Sequence, residues 1–314
     1  MRKFQEVIDE SGKFSTSRIA ALSTEVSKLK MEGCEVVVNG SYARQEASIE
    51  SDFDYFILHP DGACPNHLLS IEREVAELVT LKIGKLPGKK GAFGATLNAS
   101  ALSQNIGGND DTNQNITRRV LFMTEGAVLG SGELFEAQRK ILIERYISSS
   151  ITDHQLGMFF LNDLIRYYRT ICIDFEYKTY EDNKEWGTRN IKLIYSRKLL
   201  YFSGVLMTAE LAQRSAMEKR EIMARMVGMT PIERLKDVCR ASSARAIETY
   251  ATFLEAMQQP EVRVMLGKVT ADRDTQHEEF RRLKNNGLHF GSHLLAALRA
   301  TYADSHPIHR ALIM

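Results

Sequence analysis

One short stretch of the chain places two acidic residues where a strand would enter a hydrophobic core. It reads NGSYARQEASIESDFDYFIL over residues 39–58, and Asp52 and Asp54 stand one residue apart in it. Side chains alternate along a strand, so the two carboxylates would share a face. Burying two like charges together is costly unless a cation neutralises them. The stretch therefore predicts either a cation site or an exposed strand with two solvated aspartates.

Divalent cations are the neutralising partners that best suit this pair. Carboxylate oxygens are hard ligands, which Mg²⁺ and Mn²⁺ prefer. Two such ions can stabilise both the attacking and the leaving oxygen of a phosphoryl displacement. The pattern thus predicts Asp52 and Asp54 as ligands of two metal ions.

A Gly-Ser pair, Gly40-Ser41, precedes Asp52 with ten residues between them. Glycine lets the backbone approach a ligand closely, and backbone N–H groups at a strand-to-helix turn bind phosphate well. Ser41 adds a hydroxyl for a triphosphate oxygen. Arg44 follows one helical turn later and is predicted to reach the same anion.

The first part of the chain, residues 1–118, carries the strand signals. Apolar runs bounded by turn-forming residues predict strands at 36–38, 53–58 and 93–98. Helix candidates lie among them, over 15–32 and 67–82. This mixture is typical of an α+β domain.

The remainder, residues 119–314, has helical periodicity in almost every long segment. The predicted helices include 120–129, 187–212, 231–257 and 287–302. Within the second of these, Arg189, Lys192 and Ser196 are spaced i, i+3 and i+7 and would share one face. That face is either a phosphate-binding set or a solvated basic face with an incidental serine.

The Gly-Ser turn followed by an Asp-x-Asp strand resembles the signature of the DNA polymerase β nucleotidyltransferase superfamily. The resemblance covers residues 33–58 and includes the order of strand, turn, short helix and strand. It implies transfer of NMP or dNMP from a nucleoside triphosphate to a hydroxyl, with release of pyrophosphate. It also implies that a helical domain, here 119–314, completes the nucleotide-binding cleft. Lys192 and Ser196 look like the lysine and serine that such a domain presents to the triphosphate, with Arg189 beside them.

Members of that superfamily usually supply a third carboxylate from a later strand. The strand predicted at 93–98 has none and ends on Asn98. Asp110 and Asp111, in the loop GGNDDTN, are the nearest candidates, although Asx-rich loops also form local caps. The metal set is therefore predicted as two carboxylates, or as three with Asp110 or Asp111.

Two narrower resemblances concern the product. The length of 314 residues and the lysine–serine helix are similar to CD-NTases, the cyclic-GMP-AMP-synthase-like enzymes of bacterial antiphage systems. The GG-x-DD-x-N loop resembles proteins related to PII uridylyltransferases, which carry further domains. The first resemblance fits better and implies template-independent synthesis of an oligonucleotide or cyclic nucleotide. It also implies an effector protein from the same defence operon as a partner.

The acceptor hydroxyl is left open by the sequence. Hailong-type relatives of the CD-NTases resemble terminal transferases that extend DNA from their own tyrosine, and Tyr302 near a predicted helix end is a candidate primer. An ordinary tyrosine of an amphipathic helix is the alternative. Two other functions stay open: toxin-like nucleotidylation of a protein or tRNA, and a catalytically degenerate nucleotide-binding regulatory module.

Composition limits the remaining classes. A net charge of +1 gives no global basic field, although single-stranded nucleic acid could still bind a local groove as product. The four cysteines are far apart, so zinc is not expected and free thiols in a reducing cytosol are. The N-terminus does not resemble a signal peptide, and no apolar window is long enough to span a membrane. We therefore expect a cytoplasmic enzyme without a membrane partner.

Overall fold

The computed structural model describes residues 2–85, 92–180, 185–271 and 277–313. The chain folds into two compact units. The sheet unit comprises residues 10–151 and 216–230, and the helical unit comprises residues 1–9, 152–215 and 231–314. The boundary predicted at residue 118 falls inside a helix of the sheet unit, because the chain adds a further strand to the sheet after that helix.

A four-stranded mixed sheet forms the centre of the sheet unit. Its strands are β1 Glu35–Asn39, β2 Asp54–His59, β3 Thr96–Asn98 and β4 Ala127–Leu129. The strand order is β3-β2-β1-β4, with β1 antiparallel to both neighbours and β2 parallel to β3. The predicted α+β class is confirmed.

The helices are numbered in chain order. The first seven are α1 Arg2–Val26, α2 Gly40–Ala43, α3 Pro65–Ile83, α4 Asn113–Thr124, α5 Glu133–Tyr146, α6 Met158–Tyr180 and α7 Trp186–Lys192. The others are α8 Lys198–Ala209, α9 Ala216–Val227, α10 Pro231–Cys239, α11 Ala244–Gln258, α12 Pro260–Lys268, α13 Glu278–Thr301 and α14 Pro307–Ala311. No described helix is both long and apolar enough to cross a membrane.

One face of the sheet packs against α1 and α3. Val36 and Val38 of β1 and Ile57 of β2 are fully buried there, together with residues of both helices. Because side chains alternate along a strand, Asn39 and Asp54 point to the opposite face. These two residues are direct partners in the β1–β2 register.

The secondary structure predicted from the sequence was wrong at three places where tertiary contacts determine the conformation. Residues 127–129, predicted as helix, instead form β4, since the open edge of β1 supplies their backbone hydrogen-bond partners. The helix predicted over 187–212 is interrupted by a π-helical segment at Leu193–Arg197. Gly287, predicted to begin a helix, lies inside α13. A Cβ there would come within 2.2 Å of Ile194 Cγ2, so this glycine allows close packing.

Candidate active site

Both aspartates of the Asp-x-Asp strand are exposed to solvent. Asp54 begins β2 and Asp52 lies just before it, while Phe53 between them is fully buried. The Phe53 ring packs edge-on against Tyr42 with centroids 4.8 Å apart, which anchors the start of the strand. The two carboxylates thus avoid the core, and water limits the cost of their mutual repulsion.

Gly40 lies directly against the Asp54 carboxylate. A Cβ at Gly40 would come within 2.7 Å of Asp54 Oδ2, and the φ of this residue is +68°. Both facts require glycine, because other residues rarely adopt this backbone conformation and any side chain would displace the carboxylate. The half-buried Ser41 follows in α2. The structure therefore joins the predicted phosphate turn to one predicted metal ligand.

Arg44 is held by acidic residues of the protein itself. Its Nη1 donates to Glu125 Oε2 at 2.6 Å, and its Nε donates to Glu46 Oε2 at 2.9 Å. All three side chains are almost completely buried. This corrects the prediction that Arg44 binds the nucleotide, because its guanidinium is engaged inside the sheet unit.

Glu125 is a site residue that the sequence did not reveal. It lies between α4 and β4, and its Oε1 accepts a 3.3 Å hydrogen bond from the Gly40 N–H. Together with Arg44 it holds the Gly-Ser turn from the β4 side. No local motif marks Glu125, because only the pairing of β4 with β1 brings it to the turn.

Asp111 has a structural partner instead of a metal. Both of its carboxylate oxygens accept from Arg119, at 2.8 and 2.7 Å, and both side chains are fully buried. Asp110 beside it is exposed in the loop. No group of three or more His, Cys, Asp or Glu that could hold a metal occurs in the described part of the chain. The candidate metal set thus consists of Asp52 and Asp54.

Residues 19–90 match the family model of the nucleotidyltransferase domain. The match includes Gly40, Ser41, Asp52 and Asp54, and it supports transfer of a nucleoside monophosphate from a nucleoside triphosphate. A search of curated proteins found no match to the chain.

The three predicted phosphate ligands of the helical unit lie outside the residues that match the nucleotidyltransferase domain. Their side chains have three different environments. The guanidinium of Arg189 lies 5.0 Å from the centre of the Phe175 ring, and its Nη2 donates to the Phe175 carbonyl at 3.3 Å. Lys192 is exposed at the end of α7. Ser196 is buried in the π segment and accepts a 3.3 Å hydrogen bond from Tyr250 Oη. Lys192 is thus exposed, Arg189 is half-buried and Ser196 is buried.

Tyr302 lies in the helical unit and has a buried hydroxyl. Its Oη donates to Glu210 Oε1 at 2.7 Å, and its ring lies 4.5 Å from the His306 ring. Burial, and then the hydrogen bond to Glu210, raise the pKa of Tyr302. A primer needs an accessible hydroxyl that loses its proton readily. The structure therefore does not favour Tyr302 as the acceptor for the nucleotidyltransferase domain.

Proposed function

We propose that this protein is a metal-dependent nucleotidyltransferase with its active site at Asp52, Asp54 and the Gly40-Ser41 turn. It transfers NMP or dNMP from a nucleoside triphosphate to a hydroxyl, and pyrophosphate leaves. The contact between Gly40 and Asp54 Oδ2 is the observation that supports this most strongly. It places a carboxylate on the turn that would hold phosphate, inside the matched domain.

The residues present fit a divalent metal ion. Asp52 is exposed and forms no hydrogen bond or ion pair with any described residue. Because Gly40 has no side chain, the Asp54 carboxylate can lie directly against the Gly-Ser turn. Hard oxygen ligands of this kind suit Mg²⁺ or Mn²⁺. When bound, the metal would supply charge neutralisation of the triphosphate and a lower pKa of the acceptor hydroxyl.

The protein's own groups contribute mainly positioning. Ser41 Oγ donates a hydrogen bond to a phosphate oxygen, and Glu125 and Arg44 keep the turn in one conformation. Lys192 is kept from the family resemblance as the proposed cation for the β- and γ-phosphates, since a lysine suits a triphosphate tail. Positioning and charge stabilisation of this type account for most catalysis of phosphoryl transfer.

The proposed product is an oligonucleotide or cyclic nucleotide made without a template in antiphage defence, with an effector protein as partner. The support for this class is the resemblance of the chain length and of the helix with Lys192 and Ser196 to CD-NTases. The acceptor is then a nucleotide hydroxyl. The hydrogen bond between Tyr302 and Glu210 argues against self-priming.

The direct test is to incubate the purified protein with each labelled NTP and dNTP plus Mg²⁺ or Mn²⁺. We expect label in small products or in short polymer, and none after Asp52→Asn or Asp54→Asn. Asp61→Asn is the matched control, since Asp61 is an exposed aspartate of the same unit that follows β2. Transfer that persists in both active-site variants would overturn the proposal. Label on an added protein or tRNA would instead support nucleotidylation of a macromolecule.

A further inference from the structure

Asn39 carries a buried oxygen that nothing in the described chain satisfies. The residue is 7% exposed, and its Oδ1 has no hydrogen-bond partner. A buried polar atom without a partner costs free energy, and native proteins contain few of them. Such an atom at the end of a strand, next to a candidate active site, points to a missing ligand.

The strand register places this oxygen at the candidate metal site. Asn39 ends β1 and pairs directly with Asp54 of β2. Both side chains point away from the core that contains Val38 and Ile57. Directly opposed side chains have Cβ atoms about 4.5–5.5 Å apart. The residue directly after β1 is Gly40, and a side chain there would point at Asp54 Oδ2.

We propose that Asn39 supplies the third oxygen ligand of the metal site formed by Asp52 and Asp54. An amide oxygen is a hard ligand that Mg²⁺ and Mn²⁺ accept. An amide also suits this position because it carries no charge, whereas a buried carboxylate would be costly whenever the metal is absent. This inference depends on the proposed function in one respect, the identity of the bound ion as Mg²⁺ or Mn²⁺. It accounts for the lack of a third carboxylate among the described residues.

The first test measures Mn²⁺ binding to the full chain by electron paramagnetic resonance, without nucleotide. Asn39→Leu should weaken binding by about tenfold or more, because losing even a group that only supports a ligand typically costs about 10–100-fold in metal affinity. Asn39→Asp should strengthen binding several-fold, because ligand charge tunes affinity. Asp54→Asn identifies the signal that belongs to this site. Equal affinity in the wild type and both Asn39 variants would overturn the inference.

Thermal unfolding distinguishes a ligand from a purely structural amide. Asn39→Asp should lower Tm in EDTA and should gain more from added Mn²⁺ than the wild type does, because a ligand that binds only the folded state stabilises it. An amide that only packs, or that donates to Asp54 in the flipped orientation, predicts a lower Tm with no larger gain from Mn²⁺. That result would overturn the inference even if Asn39→Leu did not fold.

The two proposals can fail separately. Mn²⁺ affinity that depends on Asn39, in a protein that turns over no NTP or dNTP, would support the metal ligand and contradict the proposed function. If the protein catalyses nucleotidyl transfer but its Mn²⁺ affinity does not change when Asn39 is replaced, only the proposal that Asn39 is a metal ligand is contradicted.

Discussion

Two segments of this chain carry sequence patterns for binding phosphate. The predicted binding residues lie together in one segment and have different environments in the other. In the sheet unit, Gly40 and Ser41 form a turn that lies against Asp54. In the helical unit, Lys192 is exposed while Ser196 is buried against Tyr250. The first segment assembles a candidate site, and the second separates its members.

The difference shows what each pattern depended on. The Gly-Ser turn needs only neighbouring residues and the register of two strands. The lysine–serine spacing needs an uninterrupted α-helix, but the π segment breaks that regularity. Tyr195 in that segment packs flat on Phe253 with ring centroids 4.6 Å apart and donates to the Leu283 carbonyl at 2.8 Å. Packing therefore decides the conformation there.

The largest expected effect is at the sheet-unit segment. Asp54→Asn should lower kcat/KM for nucleotidyl transfer about a thousandfold, because it removes a carboxylate of the proposed metal site. Its folding should be little changed, since the side chain is exposed. Pyrophosphate release measured beside a thermal melt checks both. If Asp54→Asn kept activity within about tenfold of wild type, the sheet-unit segment would not be the active site, and the comparison of the two segments would fail.

Arg44→Met should have the largest effect on stability. It leaves Glu46 and Glu125 buried without their guanidinium, which typically costs about 3–5 kcal/mol. Arg189→Met in the helical unit should cost about 1 kcal/mol, because Arg189 bonds to backbone carbonyls and an aromatic ring. Urea unfolding of both variants measures the difference. Equal losses would contradict a special role for the Glu125–Arg44 network.

Gly40→Ala should lower activity about a hundredfold, because small displacements of reacting groups cost that much. The new Cβ would come within 2.7 Å of Asp54 Oδ2. Gly62→Ala is the matched control: its φ is +76°, yet nothing lies within 4 Å of its Cβ position. It shares the backbone strain without the contact. A comparable loss of activity in both variants would mean that strain, and not the Asp54 contact, is responsible.

The two helical-unit residues should separate in kinetics. Lys192→Ala should raise KM for the triphosphate about tenfold through loss of one charged contact. Ser196→Ala should leave KM unchanged and should lower stability by about 1 kcal/mol, because it removes the hydrogen bond from Tyr250. An equal rise of KM in both variants would instead support the sequence prediction that Lys192 and Ser196 bind the triphosphate together.

The smallest effect is expected for Tyr302→Phe, which should cost about 1 kcal/mol by removing the hydrogen bond to Glu210. Since the folded state raises the pKa of Tyr302, its stabilisation is complete below pH about 10 and declines as pH rises further. The variant should lack that alkaline decline in Tm. Nucleotide label on the protein that disappears with Tyr302→Phe would restore the primer hypothesis.

Local patterns predicted the parts of the site that neighbours in sequence define. Strand alternation predicted that Asp52 and Asp54 share a face, and the buried Phe53 between two exposed aspartates agrees with it. Arg44 shows the limit of that reasoning. Its position one turn after Ser41 suggested an anion, but its guanidinium pairs with Glu46, two residues away, and with Glu125, which only the fold brings close.

The sequence alone determined the α+β class, β1 and β2, and the Gly-Ser turn before the two aspartates, because periodicity and turn chemistry act over a few residues. Tertiary structure decided which polar groups those residues meet. Glu125 reaches Gly40 through β4, Arg119 neutralises Asp111, and Asn39 lies opposite Asp54 through strand register. Burial makes an unpaired polar group costly, so partners distant in sequence, which no local pattern encodes, determine the role of each one.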